Sequence, residues 1–222
     1  MFLGHFGLAF AARKASPTIS LVALFLACQF ADLLWPTLVL AGIEQVEIDP
    51  GATAFTPLAF VSYPYSHSLM ALVLWGVIVG TIYTMITRAP AAAAVTLALL
   101  VFSHWVLDYI THGPDMPLTM SGPQRLGLGL WNSVPGTLAA ELALFGGGLA
   151  VYLRSTTARD RIGSIGLWSL VVFMLVVYTA ASFGPPPPSP AAVAWSAQAM
   201  WLLVLWGYWV DRHRTPVARR LV

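Results

Sequence analysis

The sequence predicts an all-α polytopic membrane protein: about six transmembrane helices plus a short amino-terminal half-helix, with both chain ends on the cytoplasmic side. Three observations predict it. Of the 222 residues, 58% are hydrophobic and 9% charged, and mean hydropathy is +0.77, whereas a soluble domain carries about a quarter charged residues. Six apolar runs approach the ~20 residues that a helix needs to cross a bilayer. The basic residues gather in alternate gaps between those runs, as the positive-inside rule requires. The length suits one integral membrane domain, 1–222.

The apolar segment Phe2 to Ala12 is too short to span. Its positive charges, Arg13 and Lys14, follow it, the reverse of a signal peptide. Two placements are open: flat in the membrane interface, or tucked upward as a half-helix, lifting His5 ~12 Å above Arg13 at 1.5 Å per residue. The spans are read as Thr18 to Gly42, Ser66 to Thr87, Ala91 to Thr111, Val134 to Leu153, Ile162 to Phe183 and Ala191 to Val210. Pro36 removes the hydrogen bond to the Asp32 carbonyl and predicts a kink in the first span. Pro90 separates the second span from the third, and Gly113-Pro114 stops the third. Ser133 is a natural N-cap for the fourth span, with Pro135 in its first turn. The run Pro185 to Pro188 divides the fifth span from the sixth. Trp195, Trp201, Trp206 and Trp209 read as interfacial anchors, and Gly146, Gly147 and Gly148 as positions of close helix packing.

With the amino terminus inside, ten of eleven basic residues fall on the cytoplasmic side: Arg13, Lys14, Arg88, Arg154, Arg159, Arg161, Arg212, Arg214, Arg219 and Arg220. Only Arg125 falls outside, where the loops also carry Glu44, Glu47, Asp49 and Asp115. The single cysteine, Cys28, excludes an internal disulfide. A net charge of +2 without a nucleic-acid-reading motif argues against nucleic-acid binding.

The chemistry lies in ionisable residues inside the spans: Asp32, His67, His104, Asp108, His112 and Glu141, all between the midplane and the outer surface. An acid at a helix centre costs about 2.5 to 3.5 kcal/mol on insertion, so such residues are normally paired, inward-facing and functional. His104, Asp108 and His112 recur every fourth residue and form one stripe along ~12 Å of helix. Imidazole and carboxylate one turn apart offer two ligands to a metal. Gln29, one turn before Asp32, can support that carboxylate from behind. Each residue also has a plainer role. Asp108 can pair with a neighbouring histidine, His112 can be a helix-end residue, and Glu141 can be protonated and bonded to a backbone carbonyl.

Four blocks resemble the bacterial membrane-bound metal-dependent hydrolase family whose founding members are regulated by LexA. They are Gly4-His5 before an apolar run, Asp32 late in the first span, Ser66-His67-Ser68-Leu69, and Ser103-His104-Trp105-Val106-Leu107-Asp108. The resemblance covers about the first half of the chain, in the family's order, leaving the metal-site motifs in 1–141 and two plain apolar spans in 162–210. It implies that His5, Asp32, His67, His104 and Asp108 assemble around metal, and it favours the tucked half-helix, which alone brings His5 to the others. Two positions depart from the family pattern: Leu34, where a second acid is frequent, and Ser62-Tyr63-Pro64, where a His-Arg-Gly stretch is frequent. His112 and Glu141 are candidates to complete the set.

The expected function is hydrolysis of an amphipathic or lipid-linked ester or phosphoester at the outer side of a bacterial cytoplasmic membrane. A divalent ion, zinc or manganese, would activate water, with Asp108 or Glu141 as the base. Arg125 would bind an anionic headgroup, or else pair with Asp115, and Gly127-Leu128-Gly129-Leu130-Trp131 would form a membrane-dipping flap or a plain loop. Ser66-His67 and Ser103-His104 are not expected to be nucleophile–base pairs, because helix neighbours point apart. The alternatives are a transporter or ion pathway and a non-catalytic scaffold. Against the pathway stand the lack of an internal repeat and the almost wholly apolar inner halves of the spans.

Overall fold

Where each apolar run is interrupted decides the architecture. The computed structural model describes residues 1–217, so Arg219 and Arg220 of the charge pattern lie outside the described residues. Among the described residues, five helices are long and apolar enough to cross a membrane, or six if one bent pair is a single span, the architecture of a multi-pass membrane protein.

The amino-terminal segment is α1 (Leu3–Ala15), and it lies inside the bundle. Leu3, Phe6, Ala9 and Phe10 are fully buried, and the consecutive run Leu3 to Gly7 is buried on every side of the helix. A helix lying flat in an interface would bury one face only. α1 packs along α7 (Val134–Ser155). Their backbones nearly touch: a Cβ on Gly7 would come within 2.6 Å of the Leu144 carbonyl carbon, and one on Gly148 would collide with the Gly7 backbone. Gly146 and Gly147 face open space, so only one of the three expected glycines makes this crossing. Phe6, Phe10, Phe25 and Tyr152 fill the interior behind it, with Phe6 and Phe25 edge-to-face at 4.9 Å.

The first span is two helices, α2 (Leu21–Cys28) and α3 (Phe30–Leu40), meeting at 55°. The break falls at Gln29, not at the proline: α3 continues through Pro36. The free carbonyl created by the break is that of Cys28, and the ring of His104 occupies it. The second span begins with a separate turn, α4 (Pro64–His67), before α5 (Leu69–Thr87), because Ser68 has extended backbone and caps α5 through Ala71 N–H. α5 and α6 (Ala91–Thr111) pack tightly, with Gly76 and Gly80 against the backbone of Ala98 and Ala94. α8 (Arg161–Phe183) and the α9–α10 pair (Pro190–Gln198, Met200–Arg212) complete the helices. α10 packs on α2 and α8, while α9 leans on α3.

Three small two-stranded antiparallel sheets were not expected from the sequence. β1 (Gln45–Ile48) pairs with β2 (Leu58–Ser62), and β3 (Met116–Pro117) with β4 (Arg125–Leu126). At the opposite end β5 (Thr156–Ala158) pairs with β6 (Arg214–Pro216). That opposite end is the basic one. There Arg13 bonds the Ile19 carbonyl and meets Asp211 at 3.0 Å. Arg214 donates to Thr156 and to the Gly163 carbonyl, with its guanidinium 5.4 Å from the Tyr152 ring centre. The bundle's flank is apolar, with Met85 and Ile86 three-quarters exposed, as a hydrocarbon solvent permits.

Candidate metal centre

Five residues from α1, α3, α4 and α6 converge at the end of the bundle away from the basic end. Asp32 sits in the first turn of α3, where the break at Gln29 turns the chain. His67 closes α4, His104 and Asp108 lie one turn apart on α6, and His5 comes from buried α1. Two donor groups result, His5–His104–Asp108 and Asp32–His67–His104, each with its donor atoms within 4.8 Å of one another. His5 Nε2 lies 3.1 Å from Asp108 Oδ1, and His104 Nε2 lies 3.1 Å from Asp108 Oδ2 and 3.7 Å from Asp32 Oδ1. His67 Nε2 lies 3.4 Å from Asp32 Oδ1. Donors around a tetrahedral ion with bonds near 2.1 Å sit about 3.4 Å apart. The spacing fits.

The hydrogen bonds around the rings fix which nitrogen is bare. His104 Nδ1 lies 2.8 Å from the Cys28 carbonyl, which can only accept, so Nδ1 carries the proton. Its Nε2 is buried without a hydrogen-bond partner, although carboxylate oxygens stand nearby. His67 is set by a relay. Glu44 accepts the Ser66 hydroxyl at 2.6 Å, and Ser66 Oγ in turn accepts from His67 Nδ1 at 2.7 Å. A hydroxyl has one proton, so His67 Nδ1 must be the donor and its Nε2 is left bare. With both rings neutral, two imidazole lone pairs face two carboxylates. Acceptors facing acceptors repel unless a cation lies between them, and an orienting bond on the far nitrogen is how proteins prepare histidine ligands. The His5 ring stacks parallel on that of His104 at 3.8 Å, and the Met1 amino group lies 2.5 Å from Asp108 Oδ1.

The remaining expected residues have other positions. His112 joins neither donor group. It falls just past the end of α6 with extended backbone, so the helical stripe stops at Asp108. Its Nδ1 donates to Asp115 at 3.0 Å, close to the Tyr63 hydroxyl, and its ring packs 4.1 Å from that of Trp131. Burial pushes His112 below the ordinary histidine value, against the opposing pull of Asp115. Glu141 anchors α1: its two oxygens accept Phe2 N–H at 2.8 Å and Gly4 N–H at 2.7 Å, at the helix end where backbone donors are free. Arg125 donates to the Gly122 and Gln124 carbonyls of its own turn, and it does not line the cavity described below. Gln29 reaches the Phe2 carbonyl rather than Asp32. The 127–131 segment is a stitched loop, not a flap: Leu128 N–H bonds Tyr109 O and Gly129 N–H bonds His112 O. Ser103 bonds the Leu100 carbonyl, as expected for a residue turned away from His104. Ser66 and His67 do bond each other, because α4 is a single turn pinned by Glu44.

A cavity of about 530 Å³ opens onto Asp32, His67 and Asp108. Its walls include Trp35, Phe55, Phe60, Trp131 and, from the two spans that looked plain, Val177, Tyr178, Val193, Ala197 and Met200. Sequence reasoning missed Glu44, buried to 1% exposure. No local signal marks it, since its partners are the backbone N–H groups of Tyr65 and Ser66 on another element. No protein-family model, curated protein or solved structure matches the chain.

Proposed function

We propose that this protein is a membrane-embedded, metal-dependent hydrolase of amphipathic or lipid-linked esters or phosphoesters, as in the LexA-regulated family that its sequence resembles. The observation that carries the reading is the pair of bare imidazole nitrogens, His67 Nε2 and His104 Nε2, turned on the carboxylates of Asp32 and Asp108. A bound zinc or manganese ion would supply Lewis-acid activation of water near neutral pH. The protein's own residues divide the remaining work. Asp108 turns Oδ1 to His5 and Oδ2 to the bare His104 nitrogen, so both its oxygens face the proposed ion site and it is a ligand rather than a proton shuttle. Glu141 is committed to the α1 backbone. Asp32 turns Oδ1 to His67 and His104 and, with a side chain 23% exposed towards the cavity, leaves Oδ2 to accept a proton from water. With the basic end in the cytoplasm, the cavity faces the outer leaflet of a bacterial cytoplasmic membrane.

The test is metal content by mass spectrometry on detergent-purified protein, beside His104→Ala and Asp108→Ala. Near-stoichiometric zinc or manganese that both substitutions abolish is expected, and would justify a screen of ester and phosphoester substrates. A wild type that stays metal-free after incubation with both ions would overturn the reading.

A further inference from the structure

The cavity beside the metal centre has an apolar wall, a polar collar and an opening on the bundle's flank. Its wall at the α8–α9 side is built from Val177 and Ala181 on α8 and Val193 and Ala197 on α9. Val177 and Ala181 are exposed on the flank. They lie about 3 to 9 Å from the end of α8 at 1.5 Å per residue, in the outer margin of a hydrocarbon core about 30 Å thick. The two helices diverge here, since α9 leans on α3 while α8 is held by α10. Pro185 to Pro188 link them, a run pre-set to an extended path of ~3.1 Å per residue that cannot fold back to close the gap. The opening therefore faces acyl chains rather than water.

The collar lies within the same cavity. Trp35, Trp131 and Tyr178 all line it and are each more than nine-tenths buried. Both indole Nε1 atoms lack a partner among the described residues, and the tyrosine hydroxyl has only Ser182, one turn on, beside it. A buried donor without an acceptor costs about 1–3 kcal/mol, so two indoles beside one cavity suit a ligand bearing oxygen acceptors, which a small turn of the rings would bring within reach. Phe55, in the loop between β1 and β2, covers the space from above, with its ring 6.0 Å from that of Tyr178.

We infer that the cavity binds one acyl chain of a bilayer lipid, which enters sideways between α8 and α9 and presents its ester oxygens to the collar. The inference rests on the hydrolase reading for what then happens at Asp32 and His67, but the binding itself does not. A volume of about 530 Å³ is that of a site for a drug-sized ligand; it takes one chain, and a second stays in the bilayer.

The experiment reconstitutes the full chain into vesicles of phosphatidylcholine carrying a diazirine midway along one acyl chain, irradiates them, and maps the adducts by mass spectrometry. Adducts are expected on buried Trp35 and Tyr178 as well as on lipid-facing Met85 and Ile86. Ala197→Trp, which fills the opening, should lower the Trp35 and Tyr178 adducts about tenfold and leave those on α5 unchanged. Wild-type adducts on Met85 and Ile86 without any on Trp35 or Tyr178 would overturn the inference, whether or not the variant folds. Undiminished interior labelling in a folded Ala197→Trp would overturn the sideways route. Metal content is read on the same samples, so a metal-free protein that still labels Trp35 keeps the acyl site and loses the hydrolase.

Discussion

The two ends of α1 both carry buried charge and treat it in opposite ways. At the basic end, cation meets anion or carbonyl: Arg13 faces Asp211 and Ile19 O, and Arg214 spreads its donors over Thr156 and Gly163 O. At the other end, bare imidazole nitrogens face carboxylates across 3.1 to 3.7 Å. The first arrangement sets opposite charges against each other within the protein, although Arg13 Nε is left without a hydrogen-bond partner among the described residues. The second is a set of like poles held together by surrounding structure, which is how a site prepared for a cation differs from a structural ion pair. The difference teaches that burial alone does not mark function; the direction in which the polar atoms face does.

The largest effect expected from breaking this contrast is at the basic end. Arg13→Ala leaves the partly buried Asp211 without its cation and should destabilise the fold by about 3 kcal/mol, the lower end for a broken buried pair. Metal content per folded molecule should not change, as read by thermal unfolding in detergent beside metal analysis. A variant of unchanged stability would make the Arg13 pair decorative.

Glu44→Gln tests the opposite end without touching a ligand. An amide can donate to Ser66 and turn its hydroxyl round, which frees the His67 tautomer. Metal affinity should fall about 10–100-fold, with Ser66→Ala giving a similar loss and the double variant little more. Additive losses would mean that Glu44 and Ser66 do not act through one relay.

Asp32→Asn sharpens the contrast most directly. If acceptors repel in the metal-free site, removing one charge should stabilise the apo protein by about 0.5–2 kcal/mol, as is common where function costs stability, while metal binding is lost. A destabilised apo variant would instead mean that the histidines carry protons and the cluster is an ordinary ion-pair network.

The smallest effect belongs to Asp160, a solvent-exposed N-cap of α8 that accepts Gly163 N–H and pairs with His213 at 2.7 Å. Its pKa is lowered, by the His213 hydrogen bond first. A depressed carboxylate stabilises the fold above its unfolded value of about 3.9 and loses that contribution as pH falls through the lower folded value. Asp160→Asn keeps the cap, so its deficit in Tm relative to wild type should be small at neutral pH and vanish in acid. A deficit independent of pH would assign the effect to capping instead.

Much of the scaffold was legible because hydropathy and helix breakers are local. Ala91 to Thr111 is α6 to the residue, the fourth and fifth spans differ from their helices by one or two residues at one end, and the sixth is the α9–α10 pair, broken at Ala199. The convergence of Asp32, His67, His104 and Asp108 was legible from their common depth, and that of His5 from the resemblance. What escaped depends on distant backbone. Glu44 looked like one more loop acid because its partners arrive with α4. The break at Gln29 was hidden behind the more obvious Pro36, since the carbonyl that it releases is claimed by a side chain on α6. His112 kept the four-residue spacing but fell beyond the last helical residue, where spacing no longer means a shared face. Spans five and six looked featureless because a cavity wall of valine, alanine and methionine reads like any lipid-facing helix.

The backbone-to-backbone seat of α1 on α7, at Gly7 and Gly148, also sets a timetable. At 13 residues, α1 is shorter than a membrane crossing and needs Glu141 and the glycine face of α7 to hold it in the bundle. Those residues are synthesised after more than half of the chain, so a nascent protein holds the other ligands before it can hold His5. A chain arrested before Val134 should leave Phe2 to Ala12 accessible to interfacial labelling reagents, and the full chain should shield it. Synthesis order would thereby delay assembly of the His5–His104–Asp108 set until α7 has been made.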